Sequence, residues 1–200
     1  NIKKLDEIVE EVKKIGFIAI DTETNSLDIE KAQLVGISIS YNENKAYYIP
    51  INHHDKNINV DEKKILEFIK TIMAERRFTV VGQNIKYDMN VLKKYDIKFN
   101  CKVHDTMVMS YIYNSTGKHD LDTLSDKYLN YTTIKYEELV GSGAKKKLFS
   151  DIEIIDWGSI TDFDMIINAT RLGLKKDDKI DLDYTSIGSN KFFYDVIYNP

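Results

Sequence analysis

Gly16-Phe-Ile-Ala-Ile20, followed by Asp21-Thr22-Glu23-Thr24-Asn25-Ser26-Leu27, is the stretch on which the fold turns. The apolar run has the length and composition of a buried strand. A strand's period of two then sends Asp21 and Glu23 to one face at its end. Two like charges there raise each other's pKa unless a cation lies between them, so the pair is a candidate metal cradle. Two solvated carboxylates in a turn would show the same local sequence, and the rest of the chain decides between these readings.

Upstream, residues 2 to 14 place Ile2, Leu5, Ile8, Val9 and Val12 on one face among charged residues, an amphipathic helix leading into that strand. Downstream, Gln33 to Tyr41 alternates, Asn42-Glu43-Asn44 is turn chemistry, and Lys45 to Ile51 continues with Tyr47, Tyr48 and Ile49. These segments predict an antiparallel hairpin beside the first strand. Residues 52 to 60 read as a polar loop whose adjacent His53 and His54 point apart as surface residues. Asp61 is placed to cap a helix running to about Arg76. Phe78 to Val81 is a short strand, and Gly82-Gln83-Asn84 opens a second helix carrying Tyr87, Asp88, Val91 and Leu92. Strand, helix, strand and helix after a hairpin predict an α/β sheet with one antiparallel side.

From Asp105 the pattern is helical: Thr106 to Tyr113, Leu121 to Leu129, a short piece near Tyr136 to Val140, and a last helix from about Asp151 to Leu174. Gly141-Ser-Gly-Ala-Lys-Lys-Lys147 separates the final two. It reads as a solvated connection, with phosphate contact as the alternative if it lies beside a carboxylate site.

Two hundred residues with 42% hydrophobic content suffice for one sizeable core. A single cysteine, Cys101, leaves no intramolecular disulfide and fits a reducing compartment. No apolar run approaches a spanning length and no signal pattern opens the chain, so a cytoplasmic protein without a membrane partner is expected. A net charge of −4 argues against coating nucleic acid by bulk electrostatics, but not against holding one strand end in a local groove.

Asn84 and Asp88, four residues apart on the predicted helix, share a face. In an open α/β sheet the ends of neighbouring strands share a crevice, which brings Asp88 toward Asp21 and Glu23. A fourth carboxylate is expected from the last helix. Asp156, Asp162 and Asp164 are candidates, and Asp164 is preferred because Ile160, Asp164 and Asn168 step along one face.

The segments Asp-Thr-Glu-Thr-Asn-Ser-Leu (21–27), Val-Gly-Gln-Asn-Ile-Lys-Tyr-Asp (81–88), His-Asp-Thr-Met (104–107) with Ser-Tyr-Ile (110–112), and Lys-His-Asp-Leu-Asp-Thr-Leu (118–124) resemble the proofreading 3′-to-5′ exonuclease domain of bacterial-type DNA polymerase I, a member of the DEDD exonuclease superfamily. The resemblance covers about residues 1 to 174 and leaves 175–200 as a tail. It implies a ribonuclease-H-like fold: a mixed sheet of antiparallel hairpin plus parallel strands, flanked by helices, with a helical C-terminal half. It also implies two divalent cations, Mg²⁺ or Mn²⁺, held by Asp21, Glu23, Asp88 and Asp164, with release of nucleoside 5′-monophosphates from a single-stranded DNA 3′ end. In its terms Leu27 wedges against the terminal base, and Thr22, Gln83, Asn84 and Tyr87 line the strand-end pocket. Tyr136 matches an aromatic position near the strand, while His119 and Asp120 fall where a structural role is expected.

Two features depart from that family. Its third motif reads Tyr-x-x-x-Asp, whereas this chain has Ile160-Thr-Asp-Phe-Asp164, without the hydroxyl that orients the attacking water. After Leu174 no large polymerase domain follows in this sequence. Instead Tyr184 to Pro200 carries Ile187, Phe192, Phe193, Val196 and Ile197, a segment able to dock on the domain or on a protein partner. The resemblance therefore predicts a DNA exonuclease, slow if the lost hydroxyl matters. An RNA-trimming exonuclease and a catalytically impaired strand-end-binding domain stand as alternatives.

Overall fold

The computed structural model describes residues 2–43, 45–152, 154, 165–168 and 192–195. Helix α1 (Ile2–Ile15) buries Leu5, Ile8 and Val12, the apolar face set out by its periodicity. It ends at Gly16, whose φ of +74° lets the chain reverse into β1 (Phe17–Thr24) while its N–H bonds to Val12.

The hairpin is present as β2 (Leu34–Asn42) and β3 (Lys45–Pro50), antiparallel to each other and, through β2, to β1. Asp61 caps α2 (Glu62–Ala74) by accepting the Lys63 N–H, and β4 (Thr79–Gly82) then pairs with β1 in parallel. After α3 (Lys86–Lys93) comes β5 (Lys102–Asp105), parallel to β4, so the sheet order is β3-β2-β1-β4-β5. The strand carrying Asp21 and Glu23 is thus the central one. Strand β5 has no counterpart in the sequence reading, because Lys-Val-His-Asp holds one apolar residue on an edge strand and gives no alternation to detect.

The core joins Ile18, Ile20, Leu34, Ile37 and Ile39 of the sheet with Ile65, Phe68, Ile69, Ile72 and Met73 of α2 and Val91 and Leu92 of α3. Each such side chain contributes roughly 1.5–3 kcal/mol on burial. This apolar floor holds the ends of β1, β4 and β5 at one edge.

Helices α4 (Thr106–Tyr113), α5 (Leu121–Leu129) and α6 (Tyr136–Val140) stand where the periodicity places them. The described parts of the last predicted helix, about 151–174, are not helical. Phe149–Asp151 is a 3-10 turn, and Met165–Asn168 forms strand β6, paired in parallel with β7 (Phe192–Asp195). Met-Ile-Ile-Asn supplies two adjacent β-branched residues, stiff in a helix and well suited to a ladder. Residues 155–164, with Asp156, Ile160, Asp162 and the expected ligand Asp164, lie outside the described residues.

Candidate active site

Asp21 and Glu23 share one face of β1, as their spacing requires: Asp21 pairs with Ser38 of β2 and Glu23 with Gly36, with a register shift just beyond Glu23. Thr22 points to the other side and is buried. The paired stretch of β1 and β4 ends at Ala19 and Val81, so the β4 side of β1 is open beyond it. Asp88 enters there from the first turn of α3. It is 3% exposed, and its Oδ1 accepts both the Thr22 N–H at 2.7 Å and the Thr22 hydroxyl at 2.6 Å. A buried carboxylate requires such partners.

Asp88 perturbs the other two carboxylates, and Glu23 adds to the effect on Asp21. Asp21 keeps part of its side chain in solvent, yet its carboxyl is crowded: burial first, then the charges of Asp88 and Glu23, push its pKa up to about 7. Glu23 is raised by burial and then by Asp88. Asp88 is raised by burial and by Asp105, against the lowering effect of its Thr22 hydrogen bonds. Oxygen donors that repel one another suit a hard divalent cation. Among the described residues no group of three or more Asp, Glu, His or Cys side chains is gathered closely enough to hold a metal ion by itself. By donor type, carboxylate oxygens are the class of ligand that a hard divalent cation takes, and Asp21, Glu23 and Asp88 are the candidates expected from the sequence.

The substrate-side residues divide. Leu27 is 92% exposed, so it is no packing residue and stays available to a ligand. Its loop is held from behind: Lys94 Nζ donates to the carbonyls of Ile29, Glu30 and Ala32, and the Tyr87 hydroxyl donates to Ser26 O at 2.8 Å and lies 2.7 Å from Thr24 Oγ1. Tyr87 therefore tethers the Leu27 turn. Gln83 is a clasp with both amide ends engaged: Nε2 donates to His119 O at 2.8 Å and Oε1 accepts from Thr106 Oγ1 at 2.5 Å.

Asn84 is exposed but does not share a helical face with Asp88. It adopts φ +52°, a left-handed conformation that asparagine tolerates, and the helix starts after it. Its N–H is taken by Asp105, which also caps α4 through Met107 and Val108. Asp120 caps α5 through Thr123, and His119 Nδ1 lies 2.9 Å from Ser110 Oγ. Tyr136, 43% exposed, stacks on Phe149 with centroids 6.3 Å apart, and Lys146 lies over its ring.

The sequence reading missed Tyr48 and misplaced His53. His53 is not a surface residue: it is 1% exposed, and its Nε2 lies 2.6 Å from the Tyr48 hydroxyl. Only His54 is on the surface, paired with Asp151. The one signal in the sequence was Gly36, a glycine inside an alternating strand, where close approach of another group is a common reason.

The family model described as 3′-5′ exonuclease matches residues 1–153. Among curated relatives, DNA polymerase I of Pseudomonas aeruginosa is 36% identical over 154 residues, 74% of this chain and 17% of that protein. DNA polymerase I of Borreliella burgdorferi is 36% identical over 182 residues, 89% of this chain and 20% of that protein. The chain spans a fifth or less of these two polymerases. A shikimate dehydrogenase (NADP(+)) of Pelagibacter ubique is 56% identical over 147 residues, 70% of this chain and 52% of that protein. The dinucleotide fingerprint is nevertheless unmet here: Gly141 and Gly143 are followed by Lys146 where a third glycine belongs, and by a 3-10 turn.

Among solved structures, the Aedes aegypti Nibbler EXO domain aligns with a TM-score of 0.52 at 11% identity, covering 68% of this chain and 69% of that one. Escherichia coli RNase D aligns with a TM-score of 0.50 at 19% identity, covering 66% and 32%. At such identities these two share the fold, a mixed ribonuclease-H-like sheet. On the family match over residues 1–153, the chain belongs to the 3′-5′ exonuclease family represented in bacterial DNA polymerase I.

Proposed function

We propose that this protein removes nucleotides from the 3′ end of single-stranded DNA with the help of two divalent cations, and that residues 1–174 form the unit that does so. The observation that carries the reading is the buried Asp88 carboxylate, fixed by Thr22 beside Asp21 and Glu23 at the end of the central strand. A site with no use for cations gains nothing from three mutually repelling carboxylates.

When bound, a pair of divalent cations supplies Lewis acidity at the scissile phosphate and a nucleophilic water near neutral pH. Asp21, Glu23 and Asp88, joined by Asp164, are the residues assigned to hold that pair. Thr22 orients Asp88 by giving it two hydrogen bonds, which favour the charged form against the effect of burial. Leu27 projects from a tethered turn and is suited to press on the terminal base. Tyr136 offers an exposed ring for stacking a base further along the strand. Strand-end trimming during DNA repair, inside the cell, is the setting that this chemistry suits, and residues 184–200 are a candidate contact for a protein partner.

Incubation with end-labelled single-stranded DNA and Mg²⁺ or Mn²⁺ tests the proposal. Stepwise release of mononucleotides by the wild type, absent in D21A, is the expected result. No release by the wild type, or unchanged release by D21A, overturns it. Ile160 favours a second reading, a strand-end-binding domain with little turnover. Tight DNA binding without release would identify it. RNA oligonucleotides run in parallel separate an RNA-trimming enzyme, because recognition of the 2′-hydroxyl sets that choice.

A further inference from the structure

We propose that Tyr48, held in place by His53, is a positioning residue for Glu23, an assignment that rests on the exonuclease reading of the site. The geometry begins with three strands in register. Asp21, Ser38 and Tyr48 form one cross-strand row, and Glu23 and Gly36 belong to the next row on the same face. Tyr48 leans from its own row into that of Glu23. Its hydroxyl lies where a side chain on Gly36 would begin: a Cβ there would sit 2.0 Å from the Tyr48 oxygen and 2.4 Å from its Cζ. Directly paired residues hold their Cβ atoms about 4.5–5.5 Å apart, so a hydroxyl within 2.0 Å of the Gly36 Cβ position lies in the neighbourhood of Glu23. Glycine at 36 is what allows the ring to cross the sheet.

The far side of the hydroxyl is fixed. His53 Nε2 lies 2.6 Å away, and His53 is buried in a loop clamped by Asn59, which accepts the His53 N–H and donates to the His53 carbonyl. Phe149 presents its ring to both Tyr48 and His53 at centroid distances of 6.0 and 6.1 Å. A phenol has one proton and two lone pairs. His53 engages one of these, which leaves the hydroxyl the capacity for a second partner on the Glu23 row. A hydroxyl held by His53 on one side limits the rotamers open to a carboxylate on the other, the office of an outer partner in a cation site.

Y48F tests this, because it removes the oxygen and leaves the ring packed over Gly36 and Phe149. Calorimetric titration with Mn²⁺ is expected to show affinity about 10-fold weaker, within the range for loss of an outer partner. On labelled DNA kcat is expected to fall by a similar factor while KM stays within about twofold, since the lost contact orients a group and does not bind substrate. H53A should shift both quantities the same way, and the double variant should cost no more than Y48F alone. Unchanged Mn²⁺ affinity in Y48F, an effect confined to KM, or additive losses would overturn the proposal. If H53A fails to fold, Y48F alone decides. A wild type that binds Mn²⁺ in a Tyr48-dependent way yet releases no mononucleotide would overturn the exonuclease reading and leave this one standing. A wild type that binds no Mn²⁺ overturns both.

Discussion

Asp88 shows how one residue can serve fold and site together. Its carboxylate satisfies the Thr22 N–H and hydroxyl at an open sheet edge, and its charge raises the pKa of Asp21 and Glu23. The two roles separate in D88N, since an asparagine oxygen still accepts from Thr22 while the charge is lost. D88N is expected to fold, to melt no lower than the wild type without metal, and to lose at least about 100-fold in mononucleotide release. A collapsed melting temperature would mean that the carboxylate is chiefly structural. Position 160 is the complementary case, where restoring a hydroxyl should help. I160Y is expected to raise the single-turnover cleavage rate by about 10²-fold, the low end for a positioned proton-transfer group. An unchanged rate would show that water orientation does not limit cleavage. Charge pairs at period two and a helix cap such as Asp61 are legible in sequence because they are local. Gln83 and Tyr87 were not legible as tethers, because His119, Thr106 and Ser26 reach them only through the fold.

The end of β1 is the element that responds to pH. Asp21, Glu23 and Asp88 all have raised folded-state pKa values, Asp21 about 7 against 3.8 for the free side chain. The metal-free folded state therefore binds more protons than the unfolded chain. The stabilising contribution is fully present below about pH 4 and is lost as pH rises through about 7. Thermal melts in chelator are expected to fall between pH 5 and 8, and the fall should vanish with saturating Mn²⁺, which replaces the protons. A flat profile in chelator would remove the electrostatic account of the site. Strand β2 offers a steric counterpart. G36A places a methyl group in the space of the Tyr48 hydroxyl and should cost roughly 1–3 kcal/mol, the usual range for overpacking, in denaturant unfolding. A neutral G36A would show that the ring moves aside freely. The hairpin and α1 to α6 were readable because alternation and helical period extend over whole segments. Short, polar β5 was not, and Met165–Asn168 was misread as helix because four residues cannot express a period.

At the scale of the molecule, the five-stranded sheet and its core are complete within the first 105 residues, while the expected fourth carboxylate, Asp164, comes later. A chain ending at residue 153, the span of the family match, is expected to keep its sheet and cooperative melting but to release no mononucleotides. Retained cleavage would show that Asp164 is dispensable. Composition, strand and helix periods, caps and the four ordered motifs were sufficient for the fold class and for naming Asp21, Glu23 and Asp88 as candidates, because each separate motif is written within a few residues along the chain. The burial of His53, the left-handed turn at Asn84, the clasp at Gln83 and the passage of Tyr48 over Gly36 depend on which strands lie side by side. Such contacts join distant segments through space, and nothing in the local chemistry of either partner announces the other.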